Sequence, residues 1–221
     1  MYRPVKSNYL AQDFGENKAC CKADERGLPI RPFVIQSTST DGVCPIGYMS
    51  FYPSIGMKGH NGKDWKSWHG EPVYFPCEFD GWLRHASDLD GGIGVDIISN
   101  GQILRDENGN LQYIKWRGWH GLKVTGVEGQ KIKMGDLVML ADSTGASSGD
   151  HLHESLKWCD QYGNGIKQDN GYQGAIPPKF FEQENIFVGE RVEIVKKAMS
   201  AIDYARQFIS WLQAYILEIK K

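Results

Sequence analysis

The chain has 221 residues, a formal net charge of −2 and a hydrophobic fraction of 41%. This length allows one domain with an appendage, or two small domains. Because the net charge is close to zero, no bulk field draws the protein onto nucleic acid or an anionic membrane, and we expect no nucleic-acid partner. No apolar run approaches the ~20 residues that span a bilayer, so we expect no membrane span. The 26 glycines favour a β-rich, turn-rich fold over a helical bundle.

The first 50 residues carry glycine and proline among polar residues, which is typical of loops. We expect an irregular N-terminal segment, residues 1–50, with one short strand at residues 33–35, packed on the domain that follows. Residues 1–6 lack the apolar stretch of a signal peptide. The sequence therefore predicts synthesis in the cytoplasm without a cleaved export signal.

The five cysteines contain no Cys-x-x-Cys pair, which argues against a structural zinc ribbon. Their number is odd, so at least one thiol stays free in a monomer. Buried or reduced thiols are the favoured interpretation. A link from Cys20 or Cys21 to Cys44, which needs an oxidising compartment, is the alternative.

Residues from about 70 to 160 contain short strand-like runs between turn signals. The predicted strands lie at residues 72–75, 81–85, 93–98, 111–116, 136–140 and 151–156. Turn signals at residues 90–92, 100–101 and 108–110 separate several of them. Short strands joined by tight turns predict a mostly β protein with an antiparallel sheet.

The C-terminal segment, residues 187–221, has a different pattern. From residue 188 to residue 219 it contains no proline, and apolar residues recur three and four apart. This spacing predicts one long amphipathic α-helix of ~45 Å. Two alternatives stay open for its apolar face. It packs on another helix, from a second copy or from a virion partner, or it docks along its own domain.

Two segments carry residues that could bind a metal ion. In His151-Leu152-His153 a strand would aim both imidazoles at one place, because residues i and i+2 share a face. In the segment 59–64, His60 and Asp64 lie four apart, and a loop made feasible by Gly59 and Gly62 would let them share one zinc ion. Each segment alone is more often a solvated strand face or a polar turn. Together, His60, Asp64 and His153 supply three ligands and leave a fourth position for water, the pattern of a catalytic zinc site.

The order of these motifs resembles the lysostaphin and LytM type of zinc endopeptidases. The resemblance covers residues 50–157. Segment 59–65 (Gly-His-Asn-Gly-Lys-Asp-Trp) is similar to the family's His-x-Gly-x-Asp opening, and segment 71–74 (Glu-Pro-Val-Tyr) to its Gly-Thr-Pro-Val-Tyr strand. Segments 135–138 and 143–149 are similar to its Gly-Asp-x-Val and Gly-x-Thr-Gly-x-Ser-x-Gly motifs. Segment 151–154 (His-Leu-His-Glu) matches its His-Leu-His-Phe-Glu strand without the phenylalanine.

The resemblance implies that His60, Asp64 and His153 bind one Zn²⁺ ion and that His151 and His120 assist catalysis. It implies an antiparallel β-sheet core with a substrate groove, which sets the peptidase domain at residues 51–186. Two departures concern the assisting histidines. Asp150 replaces the usual proline before the His-x-His strand, and Gly121 separates His120 from the leucine that normally follows it.

The implied function is a zinc metallopeptidase that hydrolyses peptide bonds in bacterial peptidoglycan through a zinc-activated water. The alternative is a non-catalytic zinc-binding module, or a structural virion component, of the same fold. The substrate lies outside the membrane, so we expect action on the cell wall as a bacteriophage lysin or virion-associated enzyme. No motif predicts the substrate-binding residues or the bond that is cut.

Overall fold

The computed structural model describes residues 1–177 and 183–219. It is mostly β, with antiparallel sheets and one long C-terminal helix, as the sequence predicts. The two α-helices are α1 (Phe51–Ser54) and α2 (Val188–Ile219). The strands are β1 (Tyr2–Arg3), β2 (Leu10–Gln12), β3 (Ala19–Lys22), β4 (Ile35–Ser37), β5 (Tyr48–Ser50), β6 (Lys63–Lys66), β7 (Pro72–Tyr74), β8 (Gly81–Asp88), β9 (Gly92–Ser99), β10 (Leu104–Arg105), β11 (Leu111–Val124), β12 (Lys131–Ile132), β13 (Leu137–Ala141), β14 (His151–Cys159), β15 (Ala175–Ile176) and β16 (Gln183–Phe187).

The main sheet has the strand order β12-β8-β9-β11-β14-β6-β2, with β13 and β7 branching from β11. Neighbouring strands in this sheet are antiparallel. Its strands alternate between two faces. On β14, Leu152, Leu156 and Trp158 enter the hydrophobic core, whereas the residues between them point to the opposite face. Trp116 on β11 joins the same core. The opposite face therefore remains available for polar side chains.

The six predicted strands between residues 72 and 156 are all present, and β11 and β14 are longer than predicted. The sequence missed β6, because Lys-Asp-Trp-Lys is too short and polar to resemble a strand. Its pairing with β14 supplies the hydrogen bonds that this segment needs. Asp64 consequently lies on a strand and not in a loop.

The N-terminal 50 residues are more regular than predicted. They contain β1 to β5 rather than one short strand, and the strand predicted at residues 33–35 lies at Ile35–Ser37. Strands β4, β3 and β5 form a separate three-stranded sheet, while β2 extends the main sheet beside β6. Each strand has only two to four residues, too few for an alternating pattern to be visible in the sequence.

A disulfide joins Cys20 on β3 to Cys44. The reduced state favoured from the sequence is therefore wrong for these two residues, and the alternative link is the one that forms. Cys21, Cys77 and Cys159 are free and buried. The bond ties the small N-terminal sheet to the loop that follows β4.

Helix α2 has the bounds that the periodicity predicts. Its first residue, Val188, is fully buried, and Arg191 donates a hydrogen bond from Nε to the Tyr2 hydroxyl at 3.2 Å. From residue 196 to residue 210 every side chain is exposed. Between residues 188 and 210, the helix therefore packs on its own domain only through its first two turns. Packing on a second copy or a virion partner stays a prediction. Among the described residues, no helix is both long and apolar enough to cross a bilayer.

Candidate metal centre

The pairing of β6 with β14 builds the centre. Their register places Asp64 directly opposite His153, so the two side chains share a face of the sheet. His60 lies three residues before β6. Its Nε2 atom lies 3.1 Å from Asp64 Oδ1 and 2.8 Å from His153 Nδ1, and these last two atoms are 3.0 Å apart. Tetrahedral zinc ligands with bonds of about 2.1 Å lie about 3.4 Å apart.

The three residues fit a zinc ion by their chemistry as well as by their spacing. Two imidazole nitrogens and one carboxylate oxygen are ligands that zinc accepts. His60 Nδ1 donates a hydrogen bond to the Asp13 carbonyl oxygen at 3.2 Å, since a carbonyl can only accept. This bond fixes the tautomer and leaves the Nε2 lone pair directed at Asp64 and His153. The sequence did not predict the role of Asp13, because the contact uses its backbone carbonyl group and joins residues that are 47 positions apart.

Gly62 allows the close approach of the His60 segment to β14. A Cβ atom at this position would lie 2.2 Å from the Glu154 carbonyl oxygen and 2.7 Å from His153 Cε1. Both distances are shorter than any real contact. The glycine is therefore needed for space beside His153, whereas the sequence suggested that it provides loop flexibility.

His151 lies on the same face of β14 as His153. Its Nδ1 donates to the Gly149 carbonyl oxygen at 2.8 Å, which leaves Nε2 as an acceptor 3.7 Å from Asp64 Oδ1. The Ser147 hydroxyl lies 3.2 Å from the same Nδ1 atom. The loop before the strand thus orients this ring toward the three ligand atoms.

His120 reaches the centre through an irregularity in β11. Its φ is +64°, a left-handed conformation that is uncommon for a residue with a side chain, and the pairing of β11 with β9 shifts between Gly118 and Gly121. His120 Nδ1 donates to the Thr144 carbonyl oxygen at 2.7 Å. The ring centroid lies 4.5 Å from that of His151. The irregularity in the strand pairing therefore coincides with the left-handed backbone at His120.

Burial and neighbouring charges set the protonation of the centre. Burial, reinforced by His151 and His153, lowers the pKa of His120 to about 3. Burial also lowers the pKa of His153 to about 4, against the opposing effect of Asp64. Burial opposes ionisation of Asp64, but the surrounding histidines hold its pKa well below the usual range. For His60, burial is outweighed by the Asp64 carboxylate, and the pKa is raised. A metal ion requires an ionised carboxylate and neutral imidazoles, so Asp64 and His153 are held in the state that binds a metal, whereas His60 would release a proton on binding it.

All five histidine and aspartate side chains singled out from the sequence converge, and their roles stay predictions. The other two histidines do not join them. His69 is exposed and contacts Asp142, and His85 is exposed with Nε2 near the Gly126 carbonyl oxygen. Of the tryptophans beside the motifs, Trp65 is buried in the core and Trp119 lines the groove.

A groove of about 840 Å³ passes over the centre. The polar face of the main sheet forms one part of it, including Arg117 on β11 and Lys157 on β14. The small N-terminal sheet and residues 36–42 form part of the opposite wall. The sequence predicted a groove but none of these lining residues. The alternation along β14 could have indicated Lys157 as a groove residue, because Lys157 lies on the same face of the strand as His151 and His153.

The chain is similar to several solved peptidase structures at low identity. The catalytic domain of the antimicrobial peptidase lysostaphin from Staphylococcus simulans matches with 22% identity and a TM-score of 0.42, over 56% of this chain and 79% of that one. A zinc-containing peptidase from Vibrio cholerae matches with 20% identity and a TM-score of 0.44, over 74% of this chain and 37% of that one. A mutant catalytic domain of the prophage-encoded M23 protein EnpA from Enterococcus faecalis matches with 21% identity and a TM-score of 0.40, over 69% and 94%. No protein-family model and no curated protein matches the sequence.

Proposed function

We propose that this chain is a zinc-dependent endopeptidase of the lysostaphin and LytM type that hydrolyses peptide bonds in bacterial peptidoglycan. The observation that carries the proposal is the convergence of His60 Nε2, Asp64 Oδ1 and His153 Nδ1, with separations of 2.8 to 3.1 Å, at the floor of an open groove. The ordered motifs between residues 50 and 157 support it. A zinc ion held by these atoms would polarise a carbonyl group and lower the pKa of a bound water toward ~7.

His120 and His151 provide the proton transfers that peptide hydrolysis needs. Each ring donates its Nδ1 proton to a backbone carbonyl, so each Nε2 lone pair is free to accept a proton. One ring takes the proton that the attacking water releases. The other stabilises the oxyanion or passes a proton to the leaving amine. The two hydrogen bonds fix the same tautomer in both rings, so either ring can serve in either step.

The test is digestion of purified peptidoglycans that differ in their cross-links. The zinc-loaded protein should release new peptide termini from at least one of them, and mass spectrometry of the fragments identifies the bond. Chelated protein and the His60→Ala variant should release none. Lysis that persists after thorough chelation would contradict the zinc mechanism. Bound zinc without new termini from any cross-link type would favour the non-catalytic alternative.

A further inference from the structure

The groove face of β14 continues beyond the metal centre. His153, Ser155 and Lys157 alternate with core residues and therefore point to the same side of the sheet. Ser155 is 4% exposed and Lys157 is 7% exposed, and Lys157 lines the groove. Lys157 lies four positions after His153 on the strand, which places their Cα atoms about 13 Å apart. A peptide bound across the centre would pass the Lys157 side chain a few residues from the scissile bond.

The polar atoms of Ser155 and Lys157 have no partner among the described residues. The Ser155 hydroxyl is buried without a hydrogen bond. The Lys157 ammonium forms no ion pair or hydrogen bond with any described residue. The neighbouring cations differ. Lys115 Nζ lies 2.8 Å from Asp96 Oδ2, and Arg117 binds both oxygens of the same carboxylate at 2.5 and 2.7 Å. Asp96 is thus fully used by two cations and cannot neutralise the third.

The electrostatic environment indicates the ligand that would satisfy Lys157. Burial, with the positive charges of Arg117 and Lys115, lowers its pKa to about 7, against the weaker opposing effects of Asp96 and Asp88. The Asp88 carboxylate is engaged by backbone N–H groups of residues 90 and 91. A buried ammonium without a counter-ion is costly, and an anion beside it would remove most of that cost. A carboxylate is the anion of a peptide, and a charge-assisted hydrogen bond from an ammonium to a carboxylate is among the strong ones.

We propose that Lys157 forms a subsite that binds a carboxylate of the substrate peptide. The position of this subsite in the groove rests on the proposed peptidase function. It predicts a preference for acidic stem peptides, in which a free carboxylate lies a few residues from the scissile bond, over uncharged glycine bridges. The carboxylate belongs either to an acidic side chain or to the C-terminus of the peptide.

The test compares three forms of one cross-linked stem peptide with all carboxyls free, with the side-chain carboxyls as primary amides, or with the C-terminal carboxyl as an amide. Isothermal titration calorimetry measures their affinities for the full-length protein in the zinc-loaded and the chelated state. One of the two amide forms should bind about tenfold more weakly than the free acid, and its identity names the source of the carboxylate. Lys157→Met should remove this difference in affinity, and Lys157→Arg should restore most of it.

A control and a second variant keep the outcome decisive. The exposed Lys123 lies on β11, and Lys123→Met should keep the wild-type difference. Ser155→Ala removes a neighbouring hydroxyl that does not reach the groove, and it should also keep the wild-type difference. Equal binding of all three peptides by the wild-type protein would overturn the subsite whether or not any variant folds, as would a difference that survives in Lys157→Met. A protein that distinguishes the peptides but releases no new termini would retain the subsite and lose the peptidase function. Cleavage by a protein that binds all three peptides equally would retain the peptidase function and overturn the subsite.

Discussion

Trp65 donates a hydrogen bond from its indole Nε1 to Glu154 Oε1 at 2.7 Å, in the core beneath the metal centre. The other oxygen of Glu154 accepts the indole proton of Trp116, also at 2.7 Å. One buried carboxylate thereby links β6, β14 and β11. These three strands carry Asp64, His153 and His120, so the bonds fix the spacing of the groups that converge on the opposite face.

Glu154→Gln should therefore destabilise the fold, although the new side chain has nearly the same volume. The amide offers one acceptor oxygen in place of two, so one indole N–H is left buried without a partner. The expected loss is about 1 to 3 kcal/mol in the free energy of unfolding, measured by urea titration. The exposed Glu25→Gln is the matched control and should change stability by less than about 0.5 kcal/mol. Indistinguishable curves for the two variants would refute the link.

The five side chains at the centre should separate into two groups in a zinc assay. His60→Ala, Asp64→Ala and His153→Ala each remove a ligand atom, so zinc content after dialysis should fall to background together with peptide hydrolysis. His120→Ala and His151→Ala should retain about one zinc ion per chain and lose about 10²-fold or more in turnover, because they remove only a proton-transfer group. Atomic absorption and fragment release measure the two quantities.

The exposed histidine His85 provides the control for this assay, since His85→Ala removes an imidazole far along the sheet and should leave both quantities unchanged. Loss of zinc from His120→Ala or His151→Ala would reassign that residue as a ligand. Full turnover by either variant would remove it from the mechanism.

Gly62→Ala should disturb the centre through sterics alone. The added methyl group would overlap the Glu154 carbonyl oxygen and the His153 ring, so either β6 separates from β14 or the ring rotates away. We expect weaker zinc binding and a loss of about 1 to 3 kcal/mol in stability. Gly149→Ala adds the same methyl group where no atom lies within 4 Å and should leave zinc affinity and stability close to wild type. Wild-type zinc affinity in Gly62→Ala would show that the close contact is unimportant.

Local patterns made much of the fold predictable from the sequence. The long helix and the strands of the main sheet have enough residues for a period of 3.6 or 2 to be visible. The short N-terminal strands and β6 do not, and they form because neighbouring strands supply hydrogen-bond partners. The Cys20–Cys44 bond likewise depends on how β3 is placed, which spacing along the chain does not reveal.

The convergence of the three proposed ligands was predictable residue by residue because they lie in ordered motifs, but their supporting contacts were not. The Asp13 carbonyl group, the Glu154 carboxylate and the left-handed turn at His120 arise from strand register and from a bulge. Such features depend on which strands become neighbours. The partnerless Lys157 was overlooked for the same reason, since its isolation follows from the use of Asp96 by two other cations.

The isolation of Lys157 has a consequence for stability that is independent of any substrate. Its pKa is about 7 in the folded protein, against an ordinary value of 10.5. Between these values the unfolded chain binds more protons than the folded one, so this group makes the protein more stable as the pH rises. From pH 7 to pH 9 the free energy of unfolding of the wild type should increase relative to that of Lys157→Met, by up to about 1.4 kcal/mol per pH unit. Urea titrations at several pH values measure the difference, and Lys123→Met should follow the wild type throughout. Parallel curves for wild type and Lys157→Met would mean that the ammonium has a counter-ion in solution, which would also weaken the case for a carboxylate subsite.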